Sequence, residues 1–167
     1  VVRHFHAQWL ELEALKTLEK DATAYPAFTP ALRDLFRAET ERFVEHVFWE
    51  TDGQLSTLLS APFTYANAEL AKFYGLTPPA GSDLVQVSLD PQRRAGFLTQ
   101  GSFLSIQAGA SQTSPIHRGK FVREKLLCQD LLPPPDDVVI EPPPVDGNGT
   151  ARERFRNSRR ICSAEIT

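Results

Sequence analysis

Apolar residues recur every three or four positions almost from the start of the chain. Phe5, Trp9, Leu12 and Leu15 form one stripe, with Glu11, Glu13, Lys16 and Glu19 on the other faces. The spacing predicts a first helix over residues 3–19. Thr29-Pro30 then supplies a capping hydroxyl and a proline whose missing N–H costs nothing at the first helical position. Leu32, Leu35, Phe36, Phe43, Val47 and Phe48 carry the second helix from there to Asp52-Gly53, where glycine tolerates a left-handed cap. Residues 55–59 read as a short helix. Thr64 reads as the cap of another, through Asn67, Leu70, Ala71 and Phe73, stopped by Gly75 after Tyr74.

Residues 84–87 (Leu-Val-Gln-Val) are the one stretch with β-like alternation, and they suggest a single small strand or extended segment. Asp90-Pro91 repeats the cap-and-proline signal and opens a helix through Phe97, Leu98, Phe103, Leu104 and Ile106, which Gly96 and Gly101 weaken. Ser114-Pro115 opens the next, of about four turns, through Ile116, Phe121, Val122, Leu126 and Leu127. Two proline triplets, at 133–135 and 142–144, cannot hold a helix and should run extended as a strap. Thr150 and Glu153 fit a capping box that starts a last, arginine-rich helix, whose basic face is read as solvated.

The expected fold is all-α, an orthogonal bundle of about six helices closed by a proline-rich C-terminal strap. Its expected core holds Trp9, Leu12, Leu32, Phe36, Phe43, Leu70, Phe73, Phe97, Phe103, Ile116 and Val122, and Trp49 and Phe48 are also read as packing residues. Residues 1–90 are assigned to one helical domain and 91–167 to the start of the next, together forming one compact body. Both ends fall inside ongoing patterns, which suggests a stretch cut from a larger protein.

Composition narrows the partners rather than the chemistry. A net charge of −3 gives no global field toward nucleic acid or an anionic membrane. No apolar run approaches the roughly 20 residues that cross a bilayer, and the first residues lack the pattern of a signal peptide. Two distant cysteines, Cys128 and Cys162, match neither a disulfide framework nor a four-ligand zinc site. Apolar surface exposed where the parent is cut away would suit neighbouring domains or a homodimer.

Three constellations carry candidate chemistry. His4 and His6 have a metal-ligand spacing on a strand, but on a helix they diverge by about 200°. His46 and Glu50, at i and i+4, face one side of the second helix and could bind a divalent metal or exchange a proton, beside an acidic face of Glu39, Glu41 and Glu45 read as solvated. Ser114, His117 and Arg118 sit at a helix start, where a hydroxyl beside an imidazole suggests a nucleophile and its base. No third residue is placed to orient His117, and Ser114 is equally a cap, so the structural reading is preferred.

Three strings are more distinctive: Arg-Ala-Gly-Phe-Leu-Thr-Gln-Gly-Ser-Phe-Leu at 94–104, Thr-Ser-Pro-Ile-His-Arg-Gly-Lys at 113–120 and Leu-Pro-Pro-Pro at 132–135. With Gln8-Trp9-Leu10, Glu39-Thr40-Glu41 and the stretch 65–75, they resemble the large cytochrome-associated proteins of unknown function typical of planctomycetes and some myxobacteria. The resemblance implies the end of one uncharacterised domain joined to the start of another, in an extracytoplasmic parent that often carries Cys-x-x-Cys-His haem motifs. Here Cys162 matches the first position of such a motif, but Glu165 and Ile166 occupy those of its second cysteine and histidine. Thioether attachment needs two thiols and an axial imidazole, so no haem c is expected at Cys162. A frameshifted or metagenomic fragment would end this way. The function expected is a non-catalytic helical module of such a parent. The alternative is a small promiscuous phosphate- or carboxylate-ester hydrolase using Ser114 and His117 or a histidine-bound divalent metal.

Overall fold

The computed structural model describes residues 1–132 and Glu153. The strap and the arginine-rich segment, apart from Glu153, lie outside the described residues, as does Cys162. The chain divides into two compact units, Val1–Ser111 and Gln112–Thr167.

The first unit is built on a 21-residue helix. Helix α1 (Val2–Trp9) leads into a 3-10 turn (Leu12–Lys16), and helix α2 follows over Pro30–Glu50. The single helix expected over 3–19 is thus broken, with Glu11 at a left-handed φ of 59°. Leu10, Leu12 and Leu15 are all buried. Positions 10 and 12 would point about 200° apart on a continuous helix, so burying both requires the break. Helix α2 begins as its sequence predicts: Thr29 Oγ1 accepts from the Leu32 N–H at 3.2 Å, with Pro30 in the first turn. Ion pairs tie the preceding turns to it. Arg3 binds Glu45 at 2.7 Å, and Arg37 binds both Glu13 at 2.7 Å and Glu41 at 2.8 Å.

After helix α3 (Leu55–Ser60) the all-α expectation fails. Strand β1 (Phe63–Ala66) pairs antiparallel with β2 (Val85–Ser88), in the register Phe63 to Ser88 through Ala66 to Val85. Thr64, expected to cap a helix, lies inside β1, where Phe-Thr-Tyr suits a pleated backbone and Thr64, Tyr65 and Ala66 are buried on both faces. The cap is Asn67, whose Oδ1 accepts from the Leu70 N–H at 2.9 Å to start α4 (Ala68–Tyr74). Gly75 closes α4 at a left-handed φ of 69°.

The helix expected from Asp90-Pro91 does not form either. Asp90 Oδ1 accepts from Gln92 N–H at 3.0 Å, and its carbonyl takes the Arg93 and Arg94 amides, closing a turn. A 3-10 turn (Phe97–Thr99) and helix α5 (Gly101–Ile106) follow. The loop after α5 is held by Lys20, whose Nζ donates to the carbonyls of Ala108 at 2.9 Å and Gly109 at 2.8 Å.

Leu12, Leu32, Phe36, Phe43, Leu70, Phe97 and Phe103 are buried, as the periodicity predicts. Phe5, Phe48, Trp49, Phe73 and Ile116 are instead exposed. The apolar stripes are wider than the surfaces available to cover them.

In the second unit, α6 (Pro115–Phe121) continues into a π-helical turn (Val122–Leu126). Ser114 caps it, as predicted, by accepting from the His117 N–H at 3.2 Å.

Candidate functional site

The site begins with one residue on the wrong face. Along α2 the buried stripe runs Leu32, Phe36, Glu39, Phe43 and Val47, so a carboxylate occupies a core position at the spacing of its apolar neighbours. Glu39 has no solvent exposure. Its sequence neighbours Glu41 and Glu45 keep partial exposure and pair with arginines, so the solvated acidic face expected of all three holds for these two and not for Glu39.

Two hydroxyls satisfy the carboxylate. Thr64 on β1 donates to Oε1 at 2.5 Å, and Tyr74, at the end of α4, donates to Oε2 at 2.6 Å. Each hydroxyl also accepts from the segment after β2: Gln100 Nε2 donates to Thr64 Oγ1 at 3.2 Å and the Gly101 N–H to Tyr74 Oη at 2.8 Å. Thr40 completes the network, donating to Gln100 Oε1 at 2.8 Å and accepting from the Ser102 hydroxyl at 2.6 Å. Gln100 precedes α5 without capping it through its side chain, because the amide is engaged with the two threonines.

Arg94 lies across the Tyr74 ring, its guanidinium carbon 4.2 Å from the centroid. Burial drives the Glu39 carboxyl up to a pKa of about 7, against the Thr64 and Tyr74 hydrogen bonds and the positive charge of Arg94. Burial, and then the nearby Glu39 charge, push the Tyr74 phenol well above its usual range. The crevice among Glu39, Thr64, Tyr74, Leu89, Arg94, Thr99 and Gln100 is too tight to admit a water molecule. The arrangement is a buried carboxyl held by two hydroxyls and enclosed by side chains of α2, β1, α4 and the segment after β2.

The residues singled out in the sequence stand elsewhere. His4 is exposed on α1, while His6 is buried and its Nδ1 lies 2.9 Å from the Val2 carbonyl oxygen. His46 and Glu50 are together, with Nδ1 and Oε2 3.0 Å apart. Arg42 joins them, 2.9 Å from Glu50 and 4.8 Å from the centre of the Tyr65 ring, and holds the Glu50 carboxyl below its usual range, with His46 contributing. The His46 ring also meets Phe63 edge-on. Among the described residues no group of three or more His, Cys, Asp or Glu side chains is placed to hold a metal. Ser114 spends its hydroxyl on the cap, and His117 is exposed.

Glu39 was legible in principle, as a charged residue four positions before Phe43 and three after Phe36 on an apolar stripe. Thr64, Gln100 and Arg94 carry no such mark, since only the tertiary fold brings them to it.

No helix among the described residues is long and apolar enough to cross a membrane. No curated protein and no solved structure matches the chain. Residues 1–76 match the model of the family PSD4, protein of unknown function (DUF1592), and residues 94–164 that of PSCyt3, protein of unknown function (DUF1588). The chain thus runs from a PSD4 region into a PSCyt3 region, consistent with the resemblance to the planctomycete cytochrome-associated proteins of unknown function.

Proposed function

We propose that this chain is a non-catalytic helical module of a larger extracytoplasmic cytochrome-associated protein, and that it carries no haem of its own. The observation that carries the reading is the joint between the two family regions. Gln100, Gly101 and Ser102 of the second are built into α2, β1 and α4 of the first through buried side chains and backbone. Such a joint fixes one region on the other. The sequence at Cys162, followed by Glu165 and Ile166, supports the absence of covalently attached haem. The exposed Phe48 and Trp49, with ring centroids 4.8 Å apart, offer apolar surface to neighbouring domains of the parent.

Two measurements test this. The chain co-expressed with haem-maturation machinery should show no covalently held Soret absorbance. Purified protein should not turn over chromogenic phosphate or carboxylate esters, with or without chelator. A retained Soret band, or turnover abolished by His117→Ala, would overturn the proposal.

A further inference from the structure

The joint carries its own titratable element. Glu39 lies wholly inside it, and the groups that touch its carboxyl oxygens are neutral hydroxyls. The ionisable groups facing it are Tyr74 from α4 and Arg94 from the turn after β2; Thr40, Thr64, Gln100 and Ser102 complete the surroundings and do not titrate in the accessible range. Arg94 spends its charge on the face of the Tyr74 ring and on the Thr99 carbonyl at 3.4 Å, and the described residues form no ion pair with Glu39. A carboxylate formed there has two hydrogen-bond donors and a crevice too tight to admit water, which undercompensates a buried charge.

We propose that Glu39 is a proton-operated latch on this joint: with its carboxyl neutral the 94–102 segment stays seated on α2 and α4, and with its proton released to solvent that segment opens to hydrate the carboxylate. The segment lies in the same compact unit as α2, β1 and α4 and is tied to α2 by the Thr40 bonds to Gln100 and Ser102, but it meets the Glu39 carboxyl only indirectly, through Thr64, Tyr74 and the Arg94 stack, so it is the wall that can move without carrying away a direct ligand of the carboxyl. Opening breaks the Gly101 to Tyr74 and Gln100 to Thr64 bonds together, so the seating of the second family region on the first becomes dependent on pH. The carboxyl's displacement to about 7 puts the change near neutrality.

The test is amide hydrogen exchange of the whole chain across about pH 5 to 8, corrected for the intrinsic chemical rate, read in peptides covering 94–106. Their protection should fall at least about tenfold as pH rises from about 4.5 to about 7 and level off above that, while peptides from the middle of α2 change less. Glu39→Gln, which keeps the shape and removes the charge, should abolish the step. Tyr74→Phe, which removes one donor to the carboxylate together with the acceptor of the Gly101 N–H, should lower that protection at every pH and extend its fall to higher pH. A pH step that survives in Glu39→Gln, or a Tyr74→Phe profile whose fall does not extend to higher pH, would overturn the proposal.

Discussion

Gly101 lies flat against the ring of Phe36, so closely that a Cβ at 101 would overlap ring atoms Cε1, Cδ1 and Cζ. Phe36 has no room to retreat, being boxed by Phe28, Phe73 and Tyr74. Gly101→Ala should therefore destabilise the fold by about 1–3 kcal/mol, the usual cost of overpacking, as measured by chemical denaturation. Stability equal to the parent would mean that α5 does not seat on α2 as described.

Gly96 and Gly75 share a positive φ but not a setting, and substitution should separate them. A Cβ at Gly96 would meet the Leu59 and Leu58 backbone, which cannot swing aside, whereas one at Gly75 meets nothing within 4 Å. Gly75→Ala should cost only the left-handed conformation, about 1–2 kcal/mol. Gly96→Ala should cost that plus a backbone clash, roughly twice as much. Paired urea melts would rank them, and the reverse order would refute the packing of residue 96 on α3.

Stability should depend on pH in an unusual direction. The folded state raises the Glu39 carboxyl from 4.5 to about 7, so it favours the neutral form. That contribution is complete below about pH 4.5 and is lost as pH rises through about 7, for a total of about 3 kcal/mol. Glu13, held at about 2 by Lys16 and Arg37, and Glu45, held down by Arg3, act oppositely and weaken the fold only in more acid solution. Thermal stability should thus peak near about pH 4–5, and Glu39→Gln should flatten the decline above it. A parent whose melting temperature rises from pH 5 to 7 would refute this.

Core truncations should follow burial rather than residue type. Phe43→Ala and Leu70→Ala remove side chains with no exposure and should cost about 3–5 and 2–5 kcal/mol. Ile116, which is 53% exposed, should cost less than about 1 kcal/mol on truncation. Equal losses at Phe43 and Ile116 would place α6 in a core that the described residues do not give it.

The legible elements were those with a local cause. Thr29-Pro30, Ser114-Pro115 and Gly75 each act on neighbouring backbone, and each does what its residue type dictates. Asp90-Pro91 carries the same signal and yields only a turn, because Gly96 must dock its amide on the Ala61 carbonyl at 3.0 Å, and that contact bends the chain away from a helix. Strand β1 was hidden for a related reason: its pairing with β2 spans residues 63 to 88, beyond the reach of periodicity. The Glu39 site depends on the same long-range closure, so its centre was visible as an anomaly and its partners were not.

The boundaries of inheritance and of folding do not coincide here. The compact unit Val1–Ser111 contains all of the first family region and the opening of the second. A recombination between residues 76 and 94 would therefore split a hydrophobic nucleus and strand Phe36 without the glycine it leans on.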